Sequence, residues 1–222
     1  MKTNNTQFRM ALFAVTVLAL SASSTGIAKA SALTVTAEIG GVPTVSSATL
    51  EKFNEPAPPI LTLSGSAWLP TGGNYYDYVP PYFSGSTAAF FGESPTNGFD
   101  STQYVAVMLG SSATFNFLTP QHYFGLLWGS IGTTDCLTFY DSMNNVIGTV
   151  LGRDVPTVVP ADWGPNGTGY VNITSTIAFS CVVATSPDST FEFDDVAYSP
   201  TPEPATLLLL GLGGLILRKR KA

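Results

Sequence analysis

Between residues 33 and 198 the apolar positions come in short runs broken by Gly, Pro, Asn and Asp, and no apolar stripe of helical length repeats every three to four residues. Such runs predict strands, here over residues 33–39, 48–54, 60–64, 87–91, 104–109, 112–118 and 123–128. Further strands are expected over 136–140, 146–150, 155–159, 170–174, 177–184 and 190–198. Ala113, Phe115 and Phe117 alternate with Thr114 and Asn116, the pattern of a half-buried strand. Residues 123–128 are apolar on both faces and read as a central strand. Gly110-Ser111 predicts a hairpin between its two neighbours. In the last run Phe191 and Phe193 share one parity and Val196 and Tyr198 the other, so a β-bulge is expected at Asp194-Asp195. So many short strands predict an all-β fold, two packed antiparallel sheets over residues 31–198. A jelly-roll-like sandwich is the specific expectation, with a barrel or another Greek-key sandwich as the alternative.

The two ends follow other rules. Lys2 and Arg9 precede an apolar run over residues 10–20, and Ala28-Lys29-Ala30 closes a small, polar stretch. That order predicts a signal peptide over residues 1–30, cleaved after Ala30. The run reaches only about 16 Å as a helix, against roughly 30 Å of bilayer core. At the other end, residues 199–204 are a Pro-rich linker holding Pro202-Glu203-Pro204. A second apolar segment, 205–217, is followed by Arg218, Lys219, Arg220 and Lys221. This basic cluster predicts a short C-terminal membrane helix with its end kept cytoplasmic and the preceding body outside.

Without those ends the charge changes. Residues 31–200 hold Lys52 and Arg153 against fourteen acidic residues, a formal net charge of −12. Such a body repels nucleic acid and suits a soluble exported domain. Cys136 and Cys181 sit in a chain expected outside the cytosol, where a disulfide persists, so they form a candidate pair. Alternation places Cys181 inward with Phe179 and Cys136 outward with Thr138, which leaves the pairing open.

Pro202-Glu203-Pro204, an apolar segment and a terminal Arg/Lys cluster together resemble the PEP-CTERM sorting signal. The resemblance implies handling by an exosortase partner at the inner membrane, transient anchoring by the tail, and then a place at the cell surface or in an exopolysaccharide-rich biofilm matrix. The body is also similar to a family of exosortase-dependent surface proteins. The likeness rests on residues 123–130, on Leu137-Thr138-Phe139-Tyr140, on Gly148 with Gly152-Arg153-Asp154-Val155, and on residues 191–198.

Candidate chemistry in the body is sparse. His122 is the only His, and no G-x-S-x-G elbow surrounds a Ser, so no catalytic residues are assigned and the domain is expected not to be an enzyme. Asp194 or Asp195 beside a bulge, with Glu51 or Glu55 from an early strand, form a candidate calcium site of hard oxygen ligands. Glu192 and Asp194 stand two apart and share one strand face, and solvated acids on an edge strand are the plainer alternative. Trp68, Tyr75, Tyr76 and Trp163 are candidates for stacking on sugar faces. Three functions follow in order: a structural or interaction protein of the surface matrix, a carbohydrate-binding module that is calcium-stabilised in one version, and a secreted glycoside hydrolase or protease.

Overall fold

In a computed structural model of the chain, residues 32–54, 56–73, 77–156 and 162–200 are described. All belong to the unit Ser31–Ala222; the expected signal peptide, the sorting tail, Glu55, Tyr75 and Tyr76 lie outside the described residues. In chain order the elements are β1 (Leu33–Glu38), β2 (Thr49–Glu51), β3 (Leu61–Ser64), β4 (Tyr82–Phe83), helix α1 (Thr87–Phe91), β5 (Gly98–Phe99) and β6 (Val105–Val107). Then come β7 (Ser112–Gly129), β8 (Cys136–Tyr140), β9 (Val146–Leu151), a 3-10 turn at Gly152–Asp154, β10 (Gly169–Thr185) and β11 (Phe191–Ser199). The fold is all-β and antiparallel, as the alternation predicted.

Two long strands organise it. β7 and β10 pair with each other through both of their halves. The first half of β7 also pairs with β3, and its second half with β11. The first half of β10 takes β1 on its free side; the second half takes β8, which in turn pairs with β9. β11 is covered on its other side by β6 and then β2. Expected strands 112–118 and 123–128 are thus halves of one strand, as are 170–174 and 177–184. Straight, Phe115 and Phe124 would stand about 30 Å apart at roughly 3.3 Å per residue. Their rings are 5.4 Å apart, so β7 folds back on itself at its polar middle, and both halves face one core. Phe139 of β8 closes on Phe124 at 6.0 Å and on Phe179 of β10 at 5.1 Å.

Four local expectations change. Residues 87–91 form a helix, not a strand: Ala88 and Ala89 favour it, and Gly92 ends it at φ 70°. Residues 104–109 shorten to β6, which pairs with β11 and not with β7, so Gly110-Ser111 turns between neighbouring regions without making a hairpin. Residues 152–154 form a 3-10 turn and 155–156 lie in no strand, while 157–159 lie outside the described residues.

The cysteine pair also fails. Cys181 sits opposite Tyr140, and Cys136 opposite Thr185, so the two are four residues out of register on neighbouring strands. That is roughly 13 Å along the strand, far beyond disulfide reach. Both thiols are free. The inward placement of Cys181 fails because register shifts around Phe179 reverse the parity, and Val182 and Ala184 take the core instead.

Candidate functional site

The bulge expected in the last strand is present. Asp194 pairs with Leu127 and Ala197 with Gly125, three residues of β11 against two of β7, and Asp195 takes a φ of 51°. Before it, Phe191 and Phe193 point to the core, where Phe191 stacks on Trp128 at 4.5 Å. Glu192 and Asp194 therefore point to the opposite face. That face is not open to water. The excursion carrying β4, α1 and β5 lies over it and builds a second apolar cluster from Phe83, Ala88, Phe91, Leu127 and Tyr170. Glu192, Asp194 and Asp195 are 3%, 1% and 0% exposed, which overturns the reading of them as solvated edge acids.

The acids fall into two places. In the first, Asp100 joins Asp194 and Asp195. Asp194 accepts a hydrogen bond from the Asp195 backbone N–H at 2.7 Å. Asp100 Oδ1 accepts from the Thr102 N–H at 2.7 Å and from its hydroxyl at 2.5 Å. Both carboxylate oxygens of Asp195 are buried with no hydrogen-bond partner, while the Asp100 and Asp194 side chains share a hydrogen bond that helps to raise Asp194. Burial, followed by neighbouring negative charge, pushes Asp194 and Asp195 well above the usual carboxylate range. Lys52 opposes this for Asp195, while bridging Glu93 at 3.2 Å. Of the four proposed calcium ligands, Asp194 and Asp195 come together here. Glu51 instead accepts from the Tyr198 hydroxyl at 3.2 Å. Asp100 was missed, since nothing in its local sequence links it to a strand ninety residues on. Among the described residues no three His, Cys, Asp or Glu side chains form a group able to hold a metal ion, so a cation here would need backbone oxygens as well.

The second place is a cleft of about 410 Å³ lined by Asp77, Tyr78, Met108, Leu109, Ser130, Trp163, Asp188 and Glu192 among others. Glu192 is paired in register with Ala106 on one side and Gly129 on the other, so it rises from the middle of the sheet. Its Oε1 accepts from the Val79 N–H at 3.0 Å; its Oε2 is buried without a partner. Burial raises its pKa well above the ordinary glutamate value, and the Asp135 charge adds to this. Asp135, fully buried, accepts from Gly132 N–H at 2.9 Å, Ser186 Oγ at 2.7 Å and Trp128 Nε1 at 3.5 Å. Burial still pushes it up to about 6.

Of the aromatic candidates, Trp163 lines the cleft and is 53% exposed. Trp68 is half-buried, packs edge-on against Tyr78 at 4.9 Å and is not among the residues that line the cleft. Tyr75 and Tyr76 lie outside the described residues. His122 directs Nδ1 to the Ser175 carbonyl at 2.8 Å, in the bend of the long strands.

Residues 200–221 match the PEP-CTERM protein-sorting motif, so the chain carries the C-terminal signal of an exported, exosortase-sorted protein. No curated protein matches the chain. Among solved structures it is similar to the K2 cleaved adhesin domain of Lys-gingipain, at 9% identity and a TM-score of 0.40, over 69% of this chain and 99% of that one. It is also similar to the enzymatically active domain of bacteriophage CBA120 tailspike protein 4, at 16% identity and a TM-score of 0.25, over 77% of this chain and 20% of that one.

Proposed function

We propose that this chain is a surface or extracellular-matrix protein: exosortase handles its tail at the inner membrane, and the β-domain then serves a structural or interaction role beside exopolysaccharide. One observation carries the reading. The sorting motif starts at residue 200, directly after β11 ends at Ser199, so removing the tail leaves the last strand and its pairing intact. In the native host, mass spectrometry of the mature protein is expected to find a C-terminus near Pro204 and an N-terminus after Ala30. A full-length polypeptide recovered from the cytosol would sink this reading.

We read the fold-back of β7 and β10 as a two-sheet sandwich of jelly-roll type, since both halves direct aromatic rings into one core. The domain is read as a binding module and not as an enzyme; the hydrolase reading ranks last. A carbohydrate-binding role is supported by the cleft, which sets the exposed face of Trp163 among hydroxyls and carboxylates.

A calcium requirement is supported by Asp195, whose two oxygens are buried and unpartnered beside Asp100 and Asp194. Calcium would supply there the positive charge that two or three crowded carboxylates need. Added at pH 7 to chelator-treated protein, it is expected to raise the melting midpoint by several degrees, and Asp195→Asn is expected to abolish the rise. The gain should shrink at pH 5, where protons compete for the same oxygens. An unchanged midpoint with calcium or EDTA rules the site out.

A further inference from the structure

We infer that the bends of β7 and β10 form a membrane-apposed tip: Leu118 and Ile177 rest in the interfacial layer of the lipid bilayer while the tail is anchored, and the cleft opens at the far end. The inference rests on the reading of the tail as a transient anchor and adds the domain's orientation and the residues that set it.

Both ends of the body meet at these bends. Leu33, the first residue of β1, sits opposite Ser175, and the Ala32 carbonyl accepts from the Thr176 N–H at 2.9 Å. Ser199, the last residue of β11, sits opposite Tyr123, and β11 runs toward the bends as it ends. Register slips between Asn116 and Tyr123 of β7 and between Thr174 and Cys181 of β10, so the two bends lie side by side. Across them His122 Nδ1 reaches the Ser175 carbonyl at 2.8 Å. Leu118 stands fully exposed on one bend, and Ile177 is exposed on the other. The turn after β8 points the same way. Tyr140 is level with Cys181 and the strand runs from there toward the bends, so exposed Met143 and Val146 join this end. Apolar residues scattered singly are ordinary on a surface; four at the end where the tail departs ask for an apolar neighbour.

Tether length and charge name that neighbour. Residues 200–204 separate β11 from the apolar segment 205–217, and so short a link reaches at most about 18 Å. With that segment in the bilayer, the bends are the part of the domain nearest the lipid. The tether also raises the local concentration, so a small apolar contact suffices. β7 and β10 hold no Asp, Glu, Lys or Arg along their whole length. Within residues 116–123, 141–146 and 174–181 the one acidic or basic residue besides His122 is Asp141. Its carboxylate accepts from the N–H groups of Met143 and Asn145 and from the Asn145 side-chain amide. Contact with lipid at this end therefore desolvates little charge. Acids gather at the other end. Glu192 is level with Gly129, roughly 20 Å along β7 from Tyr123, and Asp77 and Asp188 line the cleft with it. Turned over, the domain would press those carboxyl groups on the headgroups.

Residues 31–222, tail included, test this in vesicles of phosphatidylcholine brominated on its acyl chains, which quenches tryptophan in contact with lipid. Flotation reports the anchoring. Leu118→Trp, at a fully exposed position and with folding checked by melting, is expected to lose roughly half or more of the fluorescence it adds over wild type. Ile177→Trp repeats the measurement from the second bend and should behave alike. Leu109→Trp, exposed at the cleft end, is expected to keep its intensity. A chain that fails to float overturns the anchor and the tip together. Floating protein with no variant quenched, or with the Leu109 variant quenched as strongly, overturns the tip and leaves the anchor standing. A blue shift of Leu118→Trp that grows with protein concentration without lipid assigns this end to a second copy and overturns the bilayer. Absent quenching in lipid, with a blue shift only on adding reconstituted exosortase, assigns it to that enzyme and overturns the bilayer too.

Discussion

Lowering the pH from 7 to 5 is expected to raise the unfolding free energy of the calcium-free domain, against the usual acid lability of proteins. Asp135 carries the effect most clearly. In the unfolded chain its carboxyl titrates near 3.8; in the fold burial raises it to about 6. Between those values the folded state holds a proton that the unfolded state has released. Stability from this group is therefore complete below pH 3.8 and is lost as the pH rises through about 6. The difference is on the order of 3 kcal/mol. Glu192, Asp194 and Asp195, raised by burial as well, act in the same direction and carry the trend to higher pH. Asp141 opposes them: the Asn145 side chain and backbone hold its carboxyl low, so its contribution fades as the pH falls below 3.8. Urea titrations at pH 5, 6 and 7 measure the slope. Asp135→Asn should flatten the part between pH 5 and 7, because the amide oxygen still accepts from Gly132 and the amide nitrogen donates to the Ser186 hydroxyl, and neither titrates. A wild-type midpoint that rises from pH 5 to pH 7 would contradict the burial of these acids.

Trp128→Ala is expected to cost about 3–5 kcal/mol, the range for deleting a large aromatic ring from a packed core. For a domain with 5–15 kcal/mol of total stability this is a third or more of the whole. Trp128 is fully buried, lies opposite both Gly169 and Phe193, and stacks on Phe191 at 24° between the ring planes. Its indole N–H also reaches Asp135 Oδ2 at 3.5 Å, so truncation removes a donor from an already raised carboxyl. Trp128→Phe, which restores a ring over Phe191, should recover more than half of the loss. Leu118→Ala, at a fully exposed position in the same strand, should change stability by less than about 0.5 kcal/mol. Equilibrium urea unfolding of the three variants decides the matter. Comparable small losses at Trp128 and Leu118 would mean that Trp128 does not anchor the core.

The candidate site divides along the same line. Trp163 and the Asp194-Asp195 pair were visible from residue type and local phase alone. Ser130 and Asp188 were not, since a turn serine or a loop acid has no pattern that distinguishes it until another segment lies against it. Asp100 meets Asp195 only because β5 brings residues 98–99 beside β4, over the outer face of β11.

What the amino-acid order determined unaided was whatever depends on neighbours in sequence. Alternation within a strand, the phase slip at Asp194-Asp195, and the tripartite tail beginning at Pro202 are all properties of contiguous residues, and all were legible. What only tertiary structure decided was which faces water reaches and which strands join. Two expected strands became one at residues 112–129 because the bend is held by pairing with β10, not by a local turn signal. A shift around Phe179 turned Cys181 out of the expected phase and left it four positions from Cys136. Glu192 and Asp194 read as polar residues on an outer face. They became buried acids because the excursion between β3 and β6 folds over that face and removes its water, a contact between segments about a hundred residues apart that no local periodicity encodes.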